Sequence, residues 1–235
     1  MTEAFRPFTL THAAVLVAIA AAAWLWVAAV RKQPEVASPT MLDYRLAVAN
    51  LVVWIMAHTW WNLPPRFDPA ATLPLQLCHL ASLVASAALL TRRRLWRALL
   101  YFWGIGLSTQ ALLTPTLTDP PTVIWFWAFW GLHGFVLAAA VHDLAVNRFR
   151  PTWRDYRAAC AASAVYLAVV FPLNLAIGAN YGFVGHSKPQ TPSLIDLLGP
   201  WPGRVVVIVA LVAGLMALLM LPWHFVQQRR AAGNE

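Results

Sequence analysis

The chain has 235 residues, of which 60% are hydrophobic and only 11% charged, with a formal net charge of +8. A soluble domain carries about 25% charged residues, so this composition cannot cover a water-facing surface and excludes an ordinary soluble protein. The positive charge lies in short runs between apolar segments. That pattern orients a chain in a bilayer and does not form a nucleic-acid-binding face.

Seven apolar stretches meet the roughly 20 residues that a transmembrane helix needs. In chain order they are 11–30, 43–62, 69 or 74 to 90, 96–117, 122–142, 156–178 and 203–224. The expected fold class is therefore an all-α polytopic membrane bundle of seven transmembrane helices, one membrane domain over 1–235. Thirteen of the seventeen Lys and Arg residues then fall in the loops 1–2, 3–4 and 5–6 and at the C-terminus. The positive-inside bias predicts N-out, C-in in a cytoplasmic (inner) membrane. Arg31 and Lys32 follow the first apolar stretch, whereas a signal peptide places its cations before it.

Between spans 6 and 7, residues 179–202 read ANYGFVGHSKPQTPSLIDLLGPWP. A connection this long is often functional. Leu194, Ile195, Leu197, Leu198 and Trp201 favour burial, so the stretch is expected to be an ordered extracytoplasmic cap with Asn180, His186, Lys188 and Asp196 as polar anchors.

Polar side chains within spans are costly and face the bundle interior. His133 stands out in WFWAFWGLHGFVL, between Gly131 and Gly134, which permit close approach of a neighbouring helix or a ligand. Cys78 stands out in LPLQLCHLA. Gln76 and His79, three apart, share a helix face, while His79 lies about 100° from Cys78 and does not address it directly. If the third helix begins at Pro69, Cys78 lies ~14 Å deep, level with His133 at ~16 Å. If it begins at Pro74, Cys78 is only ~6 Å deep. The longer helix, kinked at Pro74, is preferred. Gln110 and Thr114 share a face of the fourth span, which Thr114-Pro115 ends or bends. Cys78 and Cys160 fall near opposite faces of the bilayer, too far apart for a disulfide.

The segments LPLQLCHLA, LLTPTL, FWGLHGFVL and NYGFVGHSKPQTPSLIDLLGPWP resemble the YwaF-like family of bacterial integral membrane proteins. That family is similar to a eukaryotic transmembrane acyltransferase of ether phospholipids and, more remotely, to membrane hydrolases of fatty-acid esters that pair a threonine with a histidine. The resemblance implies a nucleophile at Cys78 and a histidine partner at His133. Bacterial members often have histidine where this chain has Gln76. The expected activity is acyl transfer or lipid-ester hydrolysis on membrane phospholipid by a cysteine–histidine pair. Gln76 or His79 would donate to the oxyanion, and Gln110, Thr114, Asn180, Lys188 and Asp196 would line the substrate site. No cofactor or metal is expected: a His79–His133–His186 metal site has no supporting ligand spacing. The alternative is a non-catalytic lipid or small-molecule binder or transporter.

Overall fold

The computed structural model describes residues 4–30, 38–186 and 194–232. Seven helices follow one another: α1 (Leu10–Val30), α2 (Met41–Asn62), α3 (Leu77–Thr91), α4 (94–113), α5 (Ile124–Ala145), α6 (Trp153–Ile177) and α7 (Gly203–Ala232). Two 3₁₀ turns, Tyr181–Phe183 and Leu194–Leu198, lie between α6 and α7, and no strand occurs among the described residues. Four segments are long and apolar enough to cross a membrane: α1, α5, α6 and Gly203–Phe225 of α7. The apolar α3 has only 15 residues.

The chain packs around α3. Ala81, Ser82, Ala85, Ser86 and Ala88 are all at most 2% exposed, and side chains this small let α2, α4 and α5 approach closely. Asn50 of α2 fits into this stripe. Its Nδ2 donates to Ser82 O (3.1 Å) and Ser86 Oγ (2.8 Å), and its Oδ1 accepts from Ser82 Oγ (3.0 Å). α4 is not a uniform helix: Arg94–Leu99 is α-helical, Leu100–Leu107 is a π-helix, and Thr109–Leu113 returns to α. The wide turn is buried, and Gly104 and Gly106 let Val136 and Leu219 close on it.

At one end of the bundle two capping boxes coincide with a charge network. Thr40 caps α2 with Asp43, and Thr152 caps α6 with Asp155. Asp43 then pairs with Arg92 (2.7 Å), Asp155 with Arg94 (2.6 Å) and Asp143 with Arg97 (2.9 Å). Trp26 Nε1 donates to His142 Nδ1 at 2.8 Å, so the ring proton of His142 sits on Nε2, 3.2 Å from Asp43 Oδ1. This chain of contacts ties α1, α2, α3, α4 and α5 together.

The third helix corrects the expected start. It begins at Leu77 with Gln76 as N-cap, not at Pro69 or Pro74. Residues 69–76 are turns whose polar backbone is paired within the protein. Tyr181 Oη donates to Pro69 O (2.8 Å) and accepts from Leu73 N (3.1 Å), Tyr166 Oη donates to Leu75 O (2.7 Å), and Asn62 Nδ2 donates to Thr72 O (3.0 Å). Irregular backbone at membrane depth is tolerated where protein satisfies it in this way. The expected fourth span, 96–117, is shorter at its far end: α4 stops at Leu113, before Thr114-Pro115.

Candidate functional site

A cavity of about 740 Å³ opens between α3, α4, α5, α6, α7 and the Tyr181–Phe183 turn. Its lining includes Cys78, His133, Gln76, His79, Gln110, Thr114 and Asn180. Seven of the nine residues singled out in the sequence thus meet in one space. Lys188 lies outside the described residues. Of Asp196, only the backbone, within the Leu194–Leu198 turn, is described.

Cys78 is a free thiol at the second residue of α3. This helix N-terminus presents unpaired backbone N–H groups. The short helix also changes the depth arithmetic. Counted along its own helix, Cys78 is almost at the start while His133 is nine residues into α5, yet both line the cavity. The turns 69–76, tied to Tyr166 and Tyr181, precede this helix start.

His133 is 7% exposed. Its Nδ1 lies 2.7 Å from Phe129 O. A carbonyl only accepts, so Nδ1 carries the proton and Nε2 holds a free lone pair. Nε2 is buried with no hydrogen-bond partner, as is Nδ1 of His79. The His79 ring meets that of His58 edge-on, centroids 4.5 Å apart, and its carbonyl accepts from Trp54 Nε1 (3.1 Å). Cys78 and His133 Nε2 are not hydrogen bonded to each other. Of the two glycines beside His133, Gly134 permits close approach: a Cβ there would come within 3.3 Å of Ile19 of α1. Gly131 has nothing within 4 Å.

Gln76 has a structural task as well as a place in the lining. Its Oε1 accepts from Gly182 N at 3.1 Å, tying the start of α3 to the 179–186 segment. Gly182 has φ +65°, and a Cβ there would meet the Tyr166 hydroxyl at 2.8 Å, so glycine is required on both counts. Asn180 Oδ1 accepts from Gly185 N (2.9 Å), and Asn174 pairs with both backbone groups of Tyr181. Thr114 Oγ1 donates to Gln110 O (3.2 Å), so its hydroxyl closes its own helix. His186 packs on Trp201, ring centroids 5.3 Å apart, and is not part of the described lining. Among the described residues no group of three or more His, Cys, Asp or Glu is placed to hold a metal ion.

The sequence reading missed Thr116, Thr118, Ser163, Tyr166 and Cys160, all of which line the cavity. Cys160 was placed near the opposite face from Cys78, and the cavity is long enough to reach both.

A helical, multi-pass membrane protein with a large, partly open cavity among its described helices is the class these features define. The chain belongs to the TMEM164 family, whose model matches residues 4–220. An uncharacterized protein of Treponema pallidum (strain Nichols) is 30% identical over 158 residues, 67% of this chain. The match spans 65% of that relative's length. No solved structure matches the chain.

Proposed function

We propose that the protein is a membrane-embedded acyltransferase or lipid-ester hydrolase in which Cys78 is the nucleophile and His133 the general base. The reading rests on one observation: a free thiol at a helix N-terminus and an imidazole nitrogen with an unshared lone pair line the same cavity. The YwaF-like affiliation, the N-out, C-in orientation and the single membrane domain belong to the same proposal.

In the reaction the Cys78 proton passes to His133 Nε2, whose tautomer is already that of an acceptor. The thiolate forms a bond to the carbonyl carbon of a phospholipid ester. The ester C–O bond then breaks and the proton moves from Nε2 to the departing oxygen, leaving a thioester on Cys78 and a lysolipid. A second hydroxyl, of a lysolipid or of water, repeats the sequence in reverse. The carbonyl oxygen gains charge in both steps, and the Gln76 amide or the His79 ring would supply a donor to it. A site near the start of α3 opens toward the extracytoplasmic half in this orientation, which favours a membrane lipid over cytoplasmic acyl-CoA as donor.

The lack of a thiol–imidazole hydrogen bond favours the second reading, a lipid-binding protein without chemistry. The two separate cleanly. A thiol-reactive electrophile on a fatty chain, added to membranes holding the full chain, is expected to label Cys78 and to lose the label in His133→Ala. Labelling that is absent, or that is the same in His133→Ala, sinks the cysteine–histidine reading.

A further inference from the structure

The cavity differs along its length. Near the Tyr181–Phe183 turn its lining is polar, with Gln76, His79, Gln110, Thr118 and Asn180. Further along, it is lined by Val212, Ala213 and Met216 of α7 and Cys160, Ser163 and Ala164 of α6. The α7 lining runs from Ile208 to Met216, about 12 Å along the helix axis.

Contacts between helices bound the Cys160 end. Trp103 Nε1 donates to Ser163 Oγ at 3.0 Å. Tyr156 Oη lies 3.4 Å from Ala213 O and bridges α6 to α7. Beyond it Tyr101 Oη donates to Leu219 O at 2.8 Å, and Met216 and Met220 are both 0% exposed. No carboxylate, ammonium or guanidinium is among the described lining residues.

These features restrict the occupant. An uncharged lining gives a phosphate no cationic partner, and burying a charge without one is costly. Only the ester and its hydrocarbon can enter, with the headgroup left at the polar rim. A volume of about 740 Å³ is in the range of sites that hold one small ligand. We infer that the cavity takes a single fatty-acyl chain, running from the Cys78 end toward Cys160, and that Cys160, Ser163 and Met216 form a floor that sets the longest chain accepted. The inference rests on the lipid reading above but not on its chemistry.

The test uses ether-linked monoalkyl phosphocholines, which have no ester to cleave. The full chain in nanodiscs is equilibrated with an equimolar series from decyl to eicosyl, and the bound species are read by native mass spectrometry. A bilayer is as apolar as the cavity, so selection arises from fit. Occupancy is expected to peak at one length and to fall about tenfold for the next longer chains, which overpack the floor. Cys160→Trp shortens the preferred chain, and Met216→Ala lengthens it.

A flat series in the intact protein overturns the inference, as does a peak that Met216→Ala leaves in place. The opposite directions of the two variants guard against one of them misfolding. A moving peak without Cys78 labelling removes the chemistry and leaves the floor. Labelling with an unmoved peak does the reverse.

Discussion

The two ends of the bundle treat buried polar groups in opposite ways. At the Asp43 end the buried carboxylates pair with arginines: Asp43 with Arg92, Asp143 with Arg97 and Asp155 with Arg94. Trp26 and His142 extend the chain of contacts to α1. At the Cys78 end the described cavity lining is uncharged, the one buried arginine described there, Arg204, donates to the Gly185 and His186 carbonyls, and two imidazole nitrogens, His79 Nδ1 and His133 Nε2, are buried without a hydrogen-bond partner. Paired charges hold helices in one arrangement. Unpaired ring nitrogens raise the energy of the empty state and lower it again when a ligand or a proton arrives. Paired charge is therefore concentrated at one end and unsatisfied polar groups at the other, which is where a local rule is broken.

Breaking the closed end has the largest expected effect. Asp43→Ala leaves Arg92, which is nearly buried, with only Asp143 at 3.9 Å. Loss of one partner of a buried pair costs about 3–5 kcal/mol. Thermal unfolding of the purified chain should show this loss, while Cys78→Ala should unfold close to the unaltered protein. Equal midpoints for Asp43→Ala and the parent chain would show that the network stabilises nothing.

The cavity end has its own brace, and a smaller effect is expected there. Tyr181 Oη serves Pro69 O and Leu73 N at once. Tyr181→Phe leaves both part-buried backbone groups without that partner, for about 1 kcal/mol. Amide exchange should accelerate over residues 69–76 and leave α2 around Asp43 unchanged. Uniform acceleration throughout the chain would mean that the two ends are one cooperative unit.

The same contrast explains what could be read from sequence. α1, α5, α6 and the Gly203–Phe225 part of α7 lie within a few residues of their expected spans because a long apolar run is a local signal. The start of α3 was not readable. Residues 69–76 are apolar enough to pass for helix, and their turns are tied to Tyr166 and Tyr181, 91 to 112 residues away. Cys78, His133, Gln76 and His79 were visible as polar groups inside apolar stretches. Cys160 and Ser163 were not assigned to the site, because no local pattern reports how far a cavity extends along the helices. The π turn of α4 has only Gly104 and Gly106 as a trace, and two glycines predict no particular helix type.

Asn50 lies between the two ends and offers the smallest and most specific test. It bonds three groups on α3, a helix whose other contacts there are made by small residues. Were the α2–α3 contact held mainly by close backbone packing, Asn50→Ala would cost little. The Ser82 carbonyl keeps its helical partner, and Ser86 Oγ keeps Ala47 O at 3.3 Å. Hydrogen bonds between membrane helices average about 0.6 kcal/mol and reach about 1.7. The expected loss for Asn50→Ala is within that range, well below that for Asp43→Ala, and without effect on Cys78 labelling, because α2 supplies none of the cavity's described lining. A loss as large as that for Asp43→Ala would place the structural centre of the bundle at the Asn50 bonds and not at the charged end.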